Sequence, residues 1–335
     1  MSLKTPPESF SDAFAIDVRN LVKDFDNKRA VDQVSIQMPR GQVWGFLGPN
    51  GSGKTTTIRM ICGLLEPTAG QGTCLGLDIC KQADEIKKAT GYMTQKFSFW
   101  EDMTIRENLA FVARLYQLHP IRQVVDETLK TLGLFDRQHQ LAGHLSGGWK
   151  QRLALAAVTM HNPALLLLDE PTAGVDPQAR RDFWDEIHRL AGSGMTVLVS
   201  THYMDEAERC DRIVYLSYGK IMVQGRVQEI IREIGLVTFK AVGDGAREKV
   251  DRFQRDSRVD YAAYFGSALH ISGRDRAALQ SVIDAFGEGL HWQEIETGLE
   301  DAFIALSQMQ NATEGDKTLK ESKQAKEPQK DSSEC

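Results

Sequence analysis

Residues 48 to 55, Gly48-Pro49-Asn50-Gly51-Ser52-Gly53-Lys54-Thr55, fit G-x-x-x-x-G-K-[ST] at every fixed position. Glycines at these places let the main chain wrap closely around a polyphosphate and turn its N–H groups inward. A helix opening at Lys54 adds the positive end of its dipole to the same anion. In this arrangement Lys54 is expected to reach the β and γ phosphates of a nucleoside triphosphate, and the Thr55 hydroxyl to ligate Mg2+. Thr56 carries the loop on into the helix. A short apolar strand, Val43 to Leu47, precedes the loop, and a helix with Ile58, Ile61, Leu64 and Leu65 on one face follows it.

A second stretch, Leu165-Leu166-Leu167-Leu168-Asp169-Glu170, has the pattern of a buried strand ending in two carboxylates. The first carboxylate can hold Mg2+, directly or through water. The second, Glu170, is placed to polarise a water for attack on a γ-phosphate. An acidic pair after an apolar run is also what a strand turning out to solvent shows. Upstream, Ser146, Gly147 and Gly148 stand before a helical segment. A hydroxyl, open N–H groups and a helix dipole make a second anion site there, although the same residues serve equally as a plain helix cap.

The run Leu145-Ser146-Gly147-Gly148-Trp149-Lys150-Gln151-Arg152 resembles the signature motif of the ATP-binding-cassette (ABC) ATPases. Trp149 stands where many members carry Gln, a departure that leaves the anion-binding atoms in place. The resemblance implies that this loop caps the γ-phosphate bound on an opposite subunit. It extends to Gln95, in Gly91-Tyr92-Met93-Thr94-Gln95, which matches the family's glutamine that contacts Mg2+ and the attacking water. Asp176, in Ala173-Gly174-Val175-Asp176, matches the aspartate that crosses the dimer, and it also suits the cap of a helix starting at Pro177. His202, in Ser200-Thr201-His202, matches the switch histidine that touches the γ-phosphate. Phe25 matches the aromatic that stacks on adenine. The likeness runs from about Ile16 to Ile231, with the motifs in family order.

Because the signature loop completes a site on another chain, the resemblance implies a dimer around two Mg-ATP, with a second copy or a related cassette. The wording of Gly45-Phe46-Leu47-Gly48-Pro49-Asn50, Tyr92-Met93-Thr94-Gln95 and Ser146-Gly147-Gly148-Trp149-Lys150-Gln151 is similar to single-cassette subunits of bacterial exporters with type-2 permeases, multidrug-type systems included. Gly298 to Ile304 resembles the closing helix common in such subunits. An integral-membrane permease is the implied partner, and the implied place is the cytoplasmic face of the inner membrane, the chain being soluble when alone. The rival reading is an ABC ATPase acting on ribosomes or another macromolecular complex. Only about 115 residues separate Lys54 from Asp169, too few for the long coiled-coil arms of chromosome-maintenance ATPases.

The elements that must position these residues follow from periodicity. Val34, Ile36 and Met38 alternate like a half-buried strand, after a similar segment at Ile16 and Val18. Ile105, Leu109, Val112 and Tyr116 form one helical stripe, and Val125, Leu129 and Leu132 another. Apolar strands return at Leu165–Asp169 and Met195–Ser200, with a helix between them that turns Phe183, Ile187 and Leu190 inward. The expected fold is α/β. A P-loop NTPase core over 15–234 combines a parallel RecA-like sheet, an antiparallel β subdomain and a helical subdomain at about 96–162. A small α+β ferredoxin-like unit is expected over 235–310, with a helix from Ala246 to Gln254 and a strand from Val259.

Residues 1–14 are expected to be flexible. Met1 to Phe10 is polar, without the apolar core of a signal peptide. Residues 311–335 are rich in Lys and Glu and are expected to be disordered. The strongest apolar run, Ala164 to Leu168, falls far short of the roughly 20 residues a spanning helix needs. A net charge of −6 without a basic block gives no pull toward nucleic acid. The five cysteines form no C-x-x-C pair and are expected to be reduced thiols.

Overall fold

The structure, a computed structural model, describes residues 13–26 and 28–305. It divides into two compact units between Val227 and Gln228.

In the first unit β1 (Phe14–Phe25) and β2 (Lys28–Pro39) pair antiparallel. Ile16, Val18 and Leu21 lie opposite Met38, Ile36 and Val34, and all six side chains are buried. β3 (Val43–Leu47) leads through the glycine loop into α1 (Lys54–Ile61); β4 (Ala69–Cys74) and β5 (Leu77–Asp78) then return to complete the sheet order β2-β1-β4-β5. After α2 (Ala83–Ala89) and β6 (Thr90–Met93) come the helices α3 (Ile105–Leu115), α4 (Ile121–Thr131) and α5 (Gly147–Thr159). The unit closes with β7 (Leu165–Asp169), α6 (Pro177–Gly192), β8 (Thr196–Thr201), α7 (Met204–Ala207), β9 (Arg212–Ser217) and β10 (Lys220–Gly225); α8 (Val227–Ile234) follows.

The second sheet of this unit has the order β10-β9-β3-β8-β7-β6. Its pairs are parallel except β9 with β10. Every residue of β3, β7 and β8 is buried. Strands covered on both faces need continuous apolar runs rather than alternation, which is why Leu165–Leu168 reads as it does. The registers Leu47 with Thr201 and Asp169 with Ser200 bring the carboxyl ends of β3, β8 and β7 side by side. In open parallel sheets that end is where ligands bind.

The sequence places Leu64 and Leu65 on the face of α1, but the helix stops at Ile61. Gly63 takes the left-handed conformation, and the N–H groups of Leu64 and Leu65 both donate to Arg59 O, closing the end and leaving Leu64 exposed. The sequence reading also passed over β9 and β10.

The helices α3, α4 and α5 share a core of residues such as Leu109, Leu129 and Leu153. Thr104 and Glu107 form a capping box that starts α3. Buried Asn108 accepts from Trp100 N and donates to the carbonyls of Trp100, Met103 and Thr104, fixing the turn that carries the Phe97–Trp100 aromatics.

The second unit contains β11 (Val237–Val242), α9 (Val250–Gln254), β12 (Tyr261–Phe265), β13 (Ala268–Gly273), α10 (Arg276–Phe286) and β14 (His291–Ile295), with residues 299–305 helical. Its sheet order is β12-β13-β11-β14, all antiparallel. Phe239, Leu269 and Ile271 pack with Phe253 of α9 and Val282 of α10. The helix expected from Ala246 begins only at Val250, after turns in which Gly243 and Gly245 have positive φ. The strand expected from Val259 begins at Tyr261, because Asp256 accepts from Arg258 N and makes a turn there. The charged segment 311–335 lies outside the described residues.

Candidate functional site

Gly53 sits at the N-cap of α1 with φ 102°, and no side chain caps the helix, so its first N–H groups stay open. The loop can take only glycine at its two tightest points. A Cβ on Gly48 would stand 2.2 Å from Leu216 O, and one on Gly53 2.7 Å from Ala30 O. Asn50 and Gly51 form the exposed crest of the loop, and Thr56 is half-buried beyond it. Ser52 Oγ is buried without a hydrogen-bond partner, an uncommon state that suits a donor reserved for a ligand oxygen.

Lys54 is 4% exposed. Its Nζ donates to Gly48 O (2.8 Å) and Pro49 O (3.1 Å) and lies 3.5 Å from Glu170 Oε1. Burial lowers the ammonium pKa, and the carboxylates of Glu170 and Asp169 act against that.

Asp169 Oδ1, at the end of β7, accepts from Thr55 Oγ1 (2.9 Å) and Ser200 Oγ (2.7 Å). These are hard oxygen donors. No three His, Cys, Asp or Glu side chains converge as a metal cage among the described residues. Glu170 adopts φ 47°, held there by bonds from its N–H to Ser200 O (3.1 Å) and Ser200 Oγ (3.0 Å). A non-glycine residue in this region costs about 1–3 kcal/mol and is found chiefly where function fixes it. Its Oε2 accepts from Gln95 Nε2 (2.9 Å), and His202 Nδ1 stands 3.4 Å away without a hydrogen bond of its own. Lys54, Thr55, Gln95, Asp169, Glu170 and His202 thus form one connected cluster.

Ser146, Gly147, Gly148 and Asp176 form a second group. Ser146 is the exposed N-cap of α5, and its hydroxyl is not spent on capping. Asp176 caps α6, accepting from Gln178 N (3.1 Å) and Ala179 N (2.9 Å). The two helix starts touch: a Cβ on Gly148 would stand 2.6 Å from Ala179 Cβ and 3.9 Å from Asp176 Oδ2. No hydrogen bond or ion pair among the described residues joins this group to the Lys54 cluster. The guanidiniums of Arg137 (4.6 Å) and Arg152 (5.1 Å) both approach the Trp149 ring.

Phe25, at the end of β1, is 46% exposed, with Lys23 Nζ 5.4 Å from the ring centre. Sequence reasoning missed Ser200, the bridge between the two acidic residues, and a buried acid, Glu206, bonded to the next residue, Thr201. The one available signal was a pair of hydroxyls, Ser200 and Thr201, following the apolar run Val197–Val199.

A parallel sheet with a glycine loop and paired carboxylates at its carboxyl edge defines a P-loop nucleotide-binding ATPase core. Comparison with known proteins gives the family. The profile of the ABC transporter family matches residues 31–173. The Nod factor export ATP-binding protein I of Burkholderia lata is 34% identical over 299 residues, 87% of this chain and 96% of that protein. The daunorubicin/doxorubicin resistance ATP-binding protein DrrA of Streptomyces peucetius is 38% identical over 281 residues, 82% of this chain and 83% of that one. The probable multidrug ABC transporter ATP-binding protein YbhF of Escherichia coli (strain K12) is 42% identical over 217 residues, 64% of this chain but only 38% of its own length. Among solved structures, an ATP binding subunit of an ABC transporter superposes with TM-score 0.60 at 28% identity, covering 66% of this chain and 93% of that one. A nucleotide-free ATP-binding cassette from an ABC transporter gives TM-score 0.57 at 28% identity, covering 64% and 91%. The chain belongs to the ATP-binding subunits of ABC transporters, an ATPase family with export-type relatives.

Proposed function

We propose that this chain binds Mg-ATP at the Lys54 cluster and hydrolyses it when a second copy, or a related cassette, presents its Ser146 loop across the nucleotide. The observation that carries the reading is that the Ser146 hydroxyl, at the exposed N-cap of α5, is not spent on capping, while Lys54, Glu170 and His202 gather at the carboxyl edge of the sheet. The open N–H groups of α1 and Lys54 Nζ hold the β and γ phosphates, exchanging the Gly48, Pro49 and Glu170 contacts of Lys54 for phosphate oxygens. Thr55 and Asp169 would hold Mg2+, which supplies charge neutralisation on the phosphates. Glu170 takes the proton of the attacking water, Gln95 orients that carboxylate, and His202 faces the γ-phosphate. Phe25 offers its exposed ring to adenine. Changing Glu170 to Gln should lower turnover by at least ~100-fold with ATP affinity retained; hydrolysis near the wild-type rate would remove Glu170 from this role.

Among the described residues no helix is long and apolar enough to cross a membrane, so the transport reading needs a separate permease, of type 2, with this chain on its cytoplasmic face and export as the direction. The relatives above are transporter subunits, which leaves the ribosome-acting alternative without support. Phe97, Phe99 and Trp100 are the proposed receiver of a permease helix. Phe97 and Phe99 pack partly into the helical core, while Trp100 is 44% exposed and meets Phe111 edge-on. Substituting Phe99 and Trp100 with Ala should uncouple transport while ATPase activity of the isolated chain stays within about twofold; an equal loss of both would make the rings structural. The β-α-β-β-α-β order and antiparallel sheet of the second unit support reading it as ferredoxin-like.

A further inference from the structure

One buried acid takes no part in the chemistry above. Glu206, in α7, is 1% exposed. Its Oε1 accepts from the Thr172 hydroxyl and lies 3.4 Å from Arg180 Nε, an ion pair without hydrogen-bond alignment. Its Oε2 accepts from Thr201 Oγ1 (2.7 Å), which also accepts from Tyr203 N (3.0 Å). An ionised carboxylate this deep is costly unless each oxygen is satisfied, and here both are, by groups from three different segments. Each segment carries a proposed site residue. Thr201 immediately precedes His202. Thr172 follows Glu170 by two positions, in a turn where Ala173 N donates to Glu170 O (3.2 Å) and Val175 N to Thr172 O (3.2 Å). Arg180 lies in the first turns of α6, its N–H donating to the carbonyl of Asp176 (2.9 Å). The Arg180 guanidinium also covers the ring of Tyr203 at 4.2 Å, and that ring lies 4.1 Å from His202.

We infer that Glu206 is a positioning residue that clamps the His202 strand end, the Glu170 turn and the Asp176 helix start into one unit, so that the rate of hydrolysis, and not affinity for ATP, depends on it. Among the described residues Glu206 bonds to Thr172, Thr201 and Arg180 and not to Lys54 or the phosphate loop, so ground-state binding should not feel its loss. A small displacement of a catalytic group, by contrast, costs rate steeply. The inference rests on the proposed roles of Glu170, His202 and Asp176.

The test is steady-state ATPase kinetics of the full chain with Glu206→Gln, which keeps shape and one oxygen. Thr201→Val is run beside it, since it removes one arm of the clamp while leaving the Glu206 side chain itself in place. Both should lower kcat by about tenfold or more while KM for ATP stays within about twofold and the melting midpoint is retained. Glu170→Gln is run as the control. If it abolishes turnover while the folded Glu206→Gln and Thr201→Val variants keep kcat within about twofold of wild type, the clamp is wrong and the site reading stands. A parallel change in kcat and KM in both variants also overturns the clamp. If Glu170→Gln turns over at the wild-type rate, the site reading itself falls.

Discussion

Lys54 illustrates how closely the groups of this site are gathered. Its ammonium is buried against two loop carbonyls and the Glu170 carboxylate, a set of acceptors that a triphosphate can replace one for one. Substitution by Ala should therefore weaken ATP binding itself, by at least ~10-fold or about 1.4 kcal/mol, read by calorimetric titration; an unchanged Kd would show that the main-chain N–H groups alone hold the phosphates. Residues such as Lys54, Thr55 and the Asp169-Glu170 pair were legible in the sequence because their spacing is local: one loop and one strand end define them. Ser200 and Glu206 were not, since only burial together with partners 30 or more positions away gives each its meaning. The left-handed backbone of Glu170 was equally invisible, because nothing in its residue type requires it.

Elements put those residues in place, and their joints are testable. His161, just after α5, stacks on Tyr116 at the end of α3 (3.9 Å, 8° between planes), and its Nε2 lies 3.2 Å from Thr90 O in β6. Burial lowers its pKa, with the Thr90 carbonyl acting in the opposite sense. The unfolded chain therefore binds the proton more readily than the folded one, and stability should fall as pH drops through the unfolded value of about 6.5 toward the lower folded value. Replacing His161 with Gln should flatten the dependence of the melting midpoint between about pH 5 and 7; an unaltered slope would assign it to other groups. Helix and strand types were readable from periodicity, as in β7 and α6. Their ends were harder to place. The stop of α1 depends on Gly63 adopting a left-handed conformation, and the late start of α9 depends on glycine turns that a pattern of apolar residues does not reveal.

At the scale of the whole molecule, the proposed ATP site draws on two chains. The carboxyl edge of the parallel sheet gathers the phosphate loop, the acidic pair and His202, whereas Ser146, its hydroxyl not spent on capping, and Asp176, which caps α6, sit at two touching helix starts. Two such chains facing each other would supply both halves twice over, with ATP as the bridge. The most direct measurement is the mass in solution of the Glu170→Gln chain, with and without saturating Mg-ATP, alone and combined with Ser146→Arg. A dimer should form only with ATP in Glu170→Gln and be lost in the double variant, while ATP still binds the single chain. A double variant that dimerises with ATP as readily as Glu170→Gln, or a Glu170→Gln chain that stays monomeric at saturating ATP, would contradict it.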